Sequence, residues 1–271
     1  MKEKKQKQKQ SKDSLGDRMK GYEKISKTYL IHRMPTIIRL DGKAFHTFTK
    51  GMNKPFDEVL TKTMHETMLY LCENIQGTVL GYTQSDEITL VLVDYKEYNT
   101  CAWFDGNVQK QVSVAASMAT MKFNELFVEN AEEYIRGRFL TGYIIPEDLE
   151  IYRSKYYKAM FDARAFNVPK EDVCNCLIWR QKDAIRNSIQ SLGQANFSHK
   201  ELHKKTSAQI KDMLLDLYIN WDDLEEYKQR GSCAVKGSSE SEKISGWKVE
   251  AAPVFTENRS YIEDRILLFS V

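Results

Sequence analysis

Two acidic residues carry the first chemical signal in this chain of 271 residues. Asp41 sits in Arg39-Leu40-Asp41-Gly42, directly after the β-branched stretch Pro35-Thr36-Ile37-Ile38. Asp86 sits in Gln84-Ser85-Asp86-Glu87, between 78–83 and 88–93, two strand-like runs in hairpin order. If these strands are neighbours, Asp41 and Asp86 meet at one edge of one sheet. Carboxylates so placed repel each other unless a cation lies between them, and Mg²⁺ takes one or two carboxylates plus substrate phosphate oxygens. That arrangement suits phosphoryl or nucleotidyl transfer with two metal ions. The competing reading is structural, because Asp-Gly is a common turn dipeptide and Ser-Asp a common cap.

The elements that must position these acids follow from periodicity. Residues 57–75 place Leu60, Met64, Met68, Leu71, Cys72 and Ile75 at helical spacing, with Pro55 just before and Asp57 as N-cap. A second helix spans about 108–127, with Val112, Ala115, Ala119, Phe123 and Leu126 on one face. A strand fits Met160 to Val168 and is halted by Pro169. The order strand, helix, strand, strand, helix, strand predicts an α+β, ferredoxin-like βαββαβ sheet with helices on one face. Residues 137–157 read as an irregular excursion. Residues 170–192 and 200–217 read as helices, and the chain beyond Gly231 as short strands broken by a polar loop at 237–242. The expected organisation is a basic tail over 1–18, a catalytic unit over 19–169 and a helical and short-strand part over 170–271.

Composition narrows the class. Hydrophobic content of 42% and charged content of 29% are those of a soluble globular protein. No apolar run has the length of a membrane span, and Met1 leads into Lys and Gln, so no membrane partner and a cytoplasmic location are expected. Five scattered cysteines argue against a disulfide framework, and Cys174 and Cys176 form a lone CxC without a second pair at zinc spacing. The net charge of +2 does not announce a nucleic-acid binder, but six of the first twelve residues are Lys. Such a tail either touches a phosphate backbone or only solubilises.

Other chemistry fails on spacing. His199 and His203 are four apart, but Glu201 stands at the wrong place for a zinc-protease helix. Gly231 to Gly237 is a poor P-loop, since Lys236 precedes the second glycine. No strand-to-helix GxSxG nucleophile turn is present.

Taken together, Arg39-Leu-Asp-Gly-Lys-Ala-Phe-His46, Lys54-Pro-Phe-Asp57, Tyr82-Thr-Gln-Ser-Asp-Glu87, Phe161-Asp-Ala-Arg164 and Trp179-Arg-Gln181 resemble the tRNA-histidine guanylyltransferase family. The similarity runs in order from about residue 20 to residue 236. Members of that family add nucleotides to the 5′ end of tRNA in the 3′-to-5′ direction, on a domain resembling the palm of polymerases and nucleotidyl cyclases. The resemblance implies two Mg²⁺ ions held by Asp41, Asp86 and the Gly42 carbonyl, with GTP or other nucleoside triphosphates and ATP as substrates. It implies that the backbone of Lys43, Ala44, Phe45 and His46 offers N–H groups to a triphosphate. Lys54, Asp57 and Ser85 match nucleotide-contacting positions. Lys110 matches a basic position assisting catalysis or tRNA, and Arg164, Asn187 and Arg230 fall at positions expected to touch tRNA. Glu87 is expected to shape the hairpin tip. A homotetramer is implied as well.

One departure decides the branch. Eukaryotic members follow Trp-Arg-Gln with His-Ile-Asn-Asn-Leu-Tyr-Asn, a stretch associated with selecting tRNA-histidine. Here the run is Ile185-Arg-Asn-Ser-Ile-Gln-Ser191, which keeps only Asn187. The chain is similar to the "like-protein" branch, which repairs 5′-truncated tRNAs using the opposite strand as template. The alternatives are a tRNA-histidine-specific guanylyltransferase, a nucleotidyl or diguanylate cyclase, and a non-catalytic RNA-binding module; the chain has no GGDEF-type run.

Overall fold

In a computed structural model of the protein, residues 14–140, 146–237 and 246–267 are described. The chain begins with α1 (Leu15–Ile25), then β1 (Thr36–Gly42), α2 (Phe45–Phe48), α3 (Glu58–Asn74), β2 (Thr78–Gln84) and β3 (Glu87–Leu92). The long α4 (Val108–Leu140), α5 (Pro146–Arg153) and β4 (Phe161–Asn167) follow. Beyond them lie α6 (Lys170–Asn196), α7 (His199–Leu202), α8 (Ser207–Leu215), α9 (Glu226–Arg230), β5 (Ser232–Lys236), β6 (Trp247–Ala251) and α10 (Ser260–Leu267).

The strands form one antiparallel sheet in the order β4-β1-β3-β2-β5-β6. Its first four strands have the ferredoxin-like order expected from the sequence. α3 and α4 bury Met64, Met68, Leu71, Ala115, Ala119 and Phe123 against Ile38, Leu40, Ile88 and Leu90. The expectation of helices on one face is corrected by α6 and α10, which bury Val173, Leu177 and Ile262 against Ile37, Leu80, Tyr82 and Val91 on the other. Both faces of the central strand β3 are therefore covered, and all six of its residues are buried. That is why β3 ends in the apolar run Leu90-Val91-Leu92 and not in an alternating pattern.

Several boundaries also differ. Leu15 to Arg18, read as tail, form the first turn of α1, which Ser14 caps by accepting from the Asp17 N–H. The second helix continues to Leu140 because Phe127, Ala131 and Ile135 extend its buried face. The supposed excursion therefore contains the end of α4 and the whole of α5, while residues 141–145 lie outside the described residues. The reading of one helix over 200–217 is corrected to two. The chain breaks after α7 with Lys204 at φ 60°, and Thr206 starts α8 in a capping box with Gln209. The short strands expected beyond Gly231 are β5 and β6, which join the main sheet beside β2. The polar loop falls largely within 238–245, outside the described residues. No helix among the described residues is long and apolar enough to cross a membrane.

Candidate active site

Asp41 and Asp86 are brought to the same end of the sheet. β1 lies directly beside β3, with Asp41 opposite Glu87, and the Gly42 N–H donates to the Asp86 carbonyl at 3.1 Å. Asp86 occupies a two-residue connection between β2 and β3, next to Ser85 in the left-handed region at φ 51°. Its carboxylate accepts from the Ser85 hydroxyl at 3.1 Å. Burial raises the Asp86 carboxyl above its ordinary value, and the Asp41 and Glu87 charges add to the rise, against the pull of its own backbone N–H and the Ser85 hydroxyl. Among the described residues no lysine or arginine pairs with Asp41 or Asp86.

This donor set fits Mg²⁺ better than a caged ion. Among the described residues no cluster of three His, Cys, Asp or Glu side chains could hold a metal alone. Two carboxylates and the Gly42 carbonyl would leave most positions to water and phosphate, as Mg²⁺ prefers.

The turn after β1 is fixed by packing. A Cβ on Gly42 would lie 2.3 Å from the Phe45 ring, so only glycine admits that ring. Phe45 is buried against Phe48, Phe123 and Phe161. Ala44 is left-handed at φ 55°. The four expected backbone donors are reduced to three, because the Lys43 N–H donates to the Met160 carbonyl at 2.8 Å. Beside this turn, Lys43, Lys155 and Lys158 line a cavity of about 290 Å³. Lys155 donates to the Lys50 carbonyl at 2.9 Å, and burial lowers its pKa, with the Lys158 charge adding. The sequence reading missed Lys155 and Lys158, although the basic spacing was visible in it.

A second cavity, of about 120 Å³, gathers Asp57, Ser85 and Asn187, with His65, Gln84 and Tyr227 in its wall. Lys54 is exposed beside it, next to the lining residue Pro55. Asp57 caps α3 by accepting from the Leu60 N–H at 2.9 Å. Its other oxygen accepts from Tyr152 at 2.6 Å and from the Asn53 N–H at 3.1 Å. Burial lowers the His65 pKa, which leaves a neutral ring able to accept as well as donate.

Two expected residues, Lys110 and Arg230, are not brought to the acids. Lys110 stands at the far end of the sheet. Thr120 and Asn124 of α4 bond Phe161 and Ala159 at the Asp41 end, and ten residues of helix set Lys110 roughly 15 Å further along. Its ammonium lies 5.8 Å from the Phe104 ring. Within one chain Lys110 therefore does not reach the acids. Arg230 is committed internally, since its Nε donates to the Ala252 carbonyl at 2.6 Å and its Nη2 pairs with Glu226 at 2.5 Å. Arg164 stands on β4 opposite Arg39 and pairs loosely with Asp162 at 3.7 Å. His46 is exposed, with its Nε2 3.1 Å from the Thr47 hydroxyl. Glu87 turns to α6, where Arg180 holds both its oxygens.

The family model described as Thg1, tRNAHis guanylyltransferase, matches residues 16–169, more than half of the chain. The chain belongs to this family. As a member it is a nucleotidyltransferase, of a family that acts on tRNA. It is similar to a bacterial Thg1-like protein solved in complex with ATP, at 41% identity and a TM-score of 0.81, covering 94% of this chain and 100% of that one. A bacterial Thg1-like protein solved with GTP gives 39% identity and a TM-score of 0.76, covering 94% and 99%. An uncharacterized protein of Acanthamoeba polyphaga mimivirus is 28% identical over 95% of this chain and 89% of its own length.

Proposed function

We propose that this protein restores 5′-truncated tRNAs, adding nucleotides in the 3′-to-5′ direction, each selected by pairing with the opposite strand. The observation that carries the reading is the pair of uncompensated carboxylates, Asp41 and Asp86, locked at one sheet end by the Gly42 to Asp86 hydrogen bond. Two Mg²⁺ ions at that end would lower the pKa of the attacking 3′-hydroxyl and neutralise triphosphate charge. Asp41, Asp86 and the Gly42 carbonyl would hold them. The free N–H groups of Ala44, Phe45 and His46 orient the triphosphate, and the cavity of Asp57, Ser85 and Asn187 seats a nucleotide beside the hairpin tip. ATP first activates an end that carries a monophosphate. The 3′-hydroxyl of the incoming nucleotide then attacks the activated α-phosphate, releasing AMP or pyrophosphate. No side chain becomes a covalent nucleophile. The same reading assigns a homotetramer, a cytoplasmic location, and tRNA contacts to Arg164 and Asn187.

The run 185–191 supports repair over strict tRNA-histidine selection. Ile189 is buried with Leu192, Ile210 and Trp221, and Ile185 packs against that cluster. Ser188 donates to the Lys228 carbonyl at 2.6 Å and accepts from the Trp221 indole at 3.0 Å. These side chains are spent on packing and not on unpaired anticodon bases, which are read by hydrogen bonds and stacking. The test is a set of tRNAs lacking the first 5′ nucleotide, with different anticodons and with one templating base changed. Restoration should follow the templating base whatever the anticodon. Activity confined to a histidine anticodon, or guanosine added regardless of template, would return the chain to the guanylyltransferase branch.

A further inference from the structure

α6 leaves one corner of the sheet uncovered, immediately beside the carboxylates. On β4, Asp162 and Arg164 are exposed there, opposite Asp41 and Arg39 of β1. Trp179 projects from α6 over this corner and is 53% exposed, while Ile37 and Leu177 nearby are fully buried. Two guanidinium groups approach its ring, Arg39 at 5.4 Å and Arg180 at 4.6 Å from the centroid. Both cations are anchored on the sheet, Arg39 as a residue of β1 and Arg180 through its bond to Glu87 of β3. Arg39 pairs with no carboxylate among the described residues, and its Nε is buried without a hydrogen-bond partner.

A half-exposed tryptophan with cations beside its ring is a stacking platform for a nucleobase. Arg39 and Asp41 are two residues apart on one strand face, about 6.6 Å, close to the span of one nucleotide. We propose that Trp179 stacks the base of the RNA's 5′-terminal nucleotide, placing its phosphate at the Asp41 end with Arg39 and Arg164 beside the backbone. This rests on the nucleotidyl-transfer reading and deepens it by naming where the end being extended is held. Trp179 is a positioning residue. Stacking suits an enzyme that extends ends of any sequence, because every base offers a π-face.

The test uses the full chain and a tRNA transcript lacking its first nucleotide, with a 5′-triphosphate so that activation is bypassed, and a second transcript carrying 2-aminopurine at the 5′ end. Trp179→Ala should lower kcat/KM for RNA by about 10- to 100-fold, with the KM for the nucleoside triphosphate unchanged. Trp179→Phe should recover most of the loss. The 2-aminopurine fluorescence should be quenched on binding to wild type and to catalytically dead Asp41→Ala, and not to Trp179→Ala. Normal RNA use by Trp179→Ala, or equal quenching by that variant, would overturn the assignment while leaving nucleotidyl transfer intact. Equal loss in the Phe variant would also overturn it. A wild-type protein that extends no RNA would instead defeat the broader reading.

Discussion

Arg180 and Glu87 form a bidentate pair, Nε to Oε1 at 2.7 Å and Nη2 to Oε2 at 2.6 Å, with side chains only 9% and 10% exposed. Arg180 also reaches Asp183 at 3.0 Å. The pair fastens α6 to the strand that begins one residue after Asp86. Removing one partner strands a buried charge, which costs about 3–5 kcal/mol. Arg180→Met should therefore unfold at markedly lower denaturant, and Arg180→Met with Glu87→Leu should recover part of the loss. Chemical denaturation of the single and double variants checks this, and additive losses would show that the two do not act as a pair.

Asp41→Asn and Asp86→Asn should each reduce nucleotide addition by 10²-fold or more, on the order of losing one strong transition-state electrostatic contact. Far-UV circular dichroism should be unchanged. Single-turnover incorporation of labelled nucleotide is the measurement, and more than about a tenth of wild-type rate in either variant contradicts the assignment.

Asp86 also predicts a pH dependence. Burial first, and then the Asp41 and Glu87 charges, raise its carboxyl in the folded state. The native protein thus holds a proton that the unfolded chain releases, so this contribution to stability is complete below the unfolded pKa. It is lost as pH rises through the higher folded value. In EDTA, Asp86→Asn should gain Tm over wild type as pH rises from about 4 towards neutrality. Mg²⁺ should raise the Tm of wild type more than that of the variant. Parallel thermal melts across pH, with and without Mg²⁺, measure both effects.

Gly42→Ala forces a Cβ to 2.3 Å from the Phe45 ring. Overpacking of this kind costs about 1–3 kcal/mol, and the turn that follows Asp41 must shift to relieve it. Activity should fall further than stability alone explains. Normal kcat/KM at a temperature well below the variant's Tm would show that the turn geometry is not needed.

Asp57→Ala removes a helix cap, the acceptor of the Asn53 and Leu60 N–H groups, and one bond of the Tyr152 hydroxyl. A loss of about 2–4 kcal/mol is expected from the cap and the unmet donors. Asp57→Asn keeps the cap and should lose less. If both variants are equally unstable, the charge and not the acceptor geometry matters to the fold.

The parts of this architecture that sequence patterns show are those decided locally. The helical spacing of Leu60, Met64, Met68 and Leu71 and the cap at Asp57 place α3 to within a residue of its observed bounds. The two-residue tip at Ser85 and Asp86 is equally visible, because both strands flanking it are β-branched and apolar. What is hidden is set by distant partners. Only the bonds of Thr120 and Asn124 to Phe161 and Ala159 show that Lys110, earlier on the same helix, occupies the end of the sheet away from the acids. Arg230 looks like a basic surface turn, yet its guanidinium is aimed at a carbonyl 22 residues onward. Glu87 and Arg180 are 93 residues apart, and no local pattern couples them.

The place of β5 in the sheet has a consequence for synthesis. Tyr82 packs on Phe255 and donates to the Arg230 carbonyl, a partner 148 residues later in the chain. Thus, while the ribosome is still making the second half, β2 exposes an open edge and one apolar face of the sheet. Such edges and faces are the surfaces through which nascent chains stick together. Residues 16–169, the span the family model matches, carry Asp41 and Asp86 but cannot shield this face themselves. A chain halted before Ser232 should require a chaperone to remain dispersed, and a released fragment ending near Pro169 should pellet where the complete protein does not.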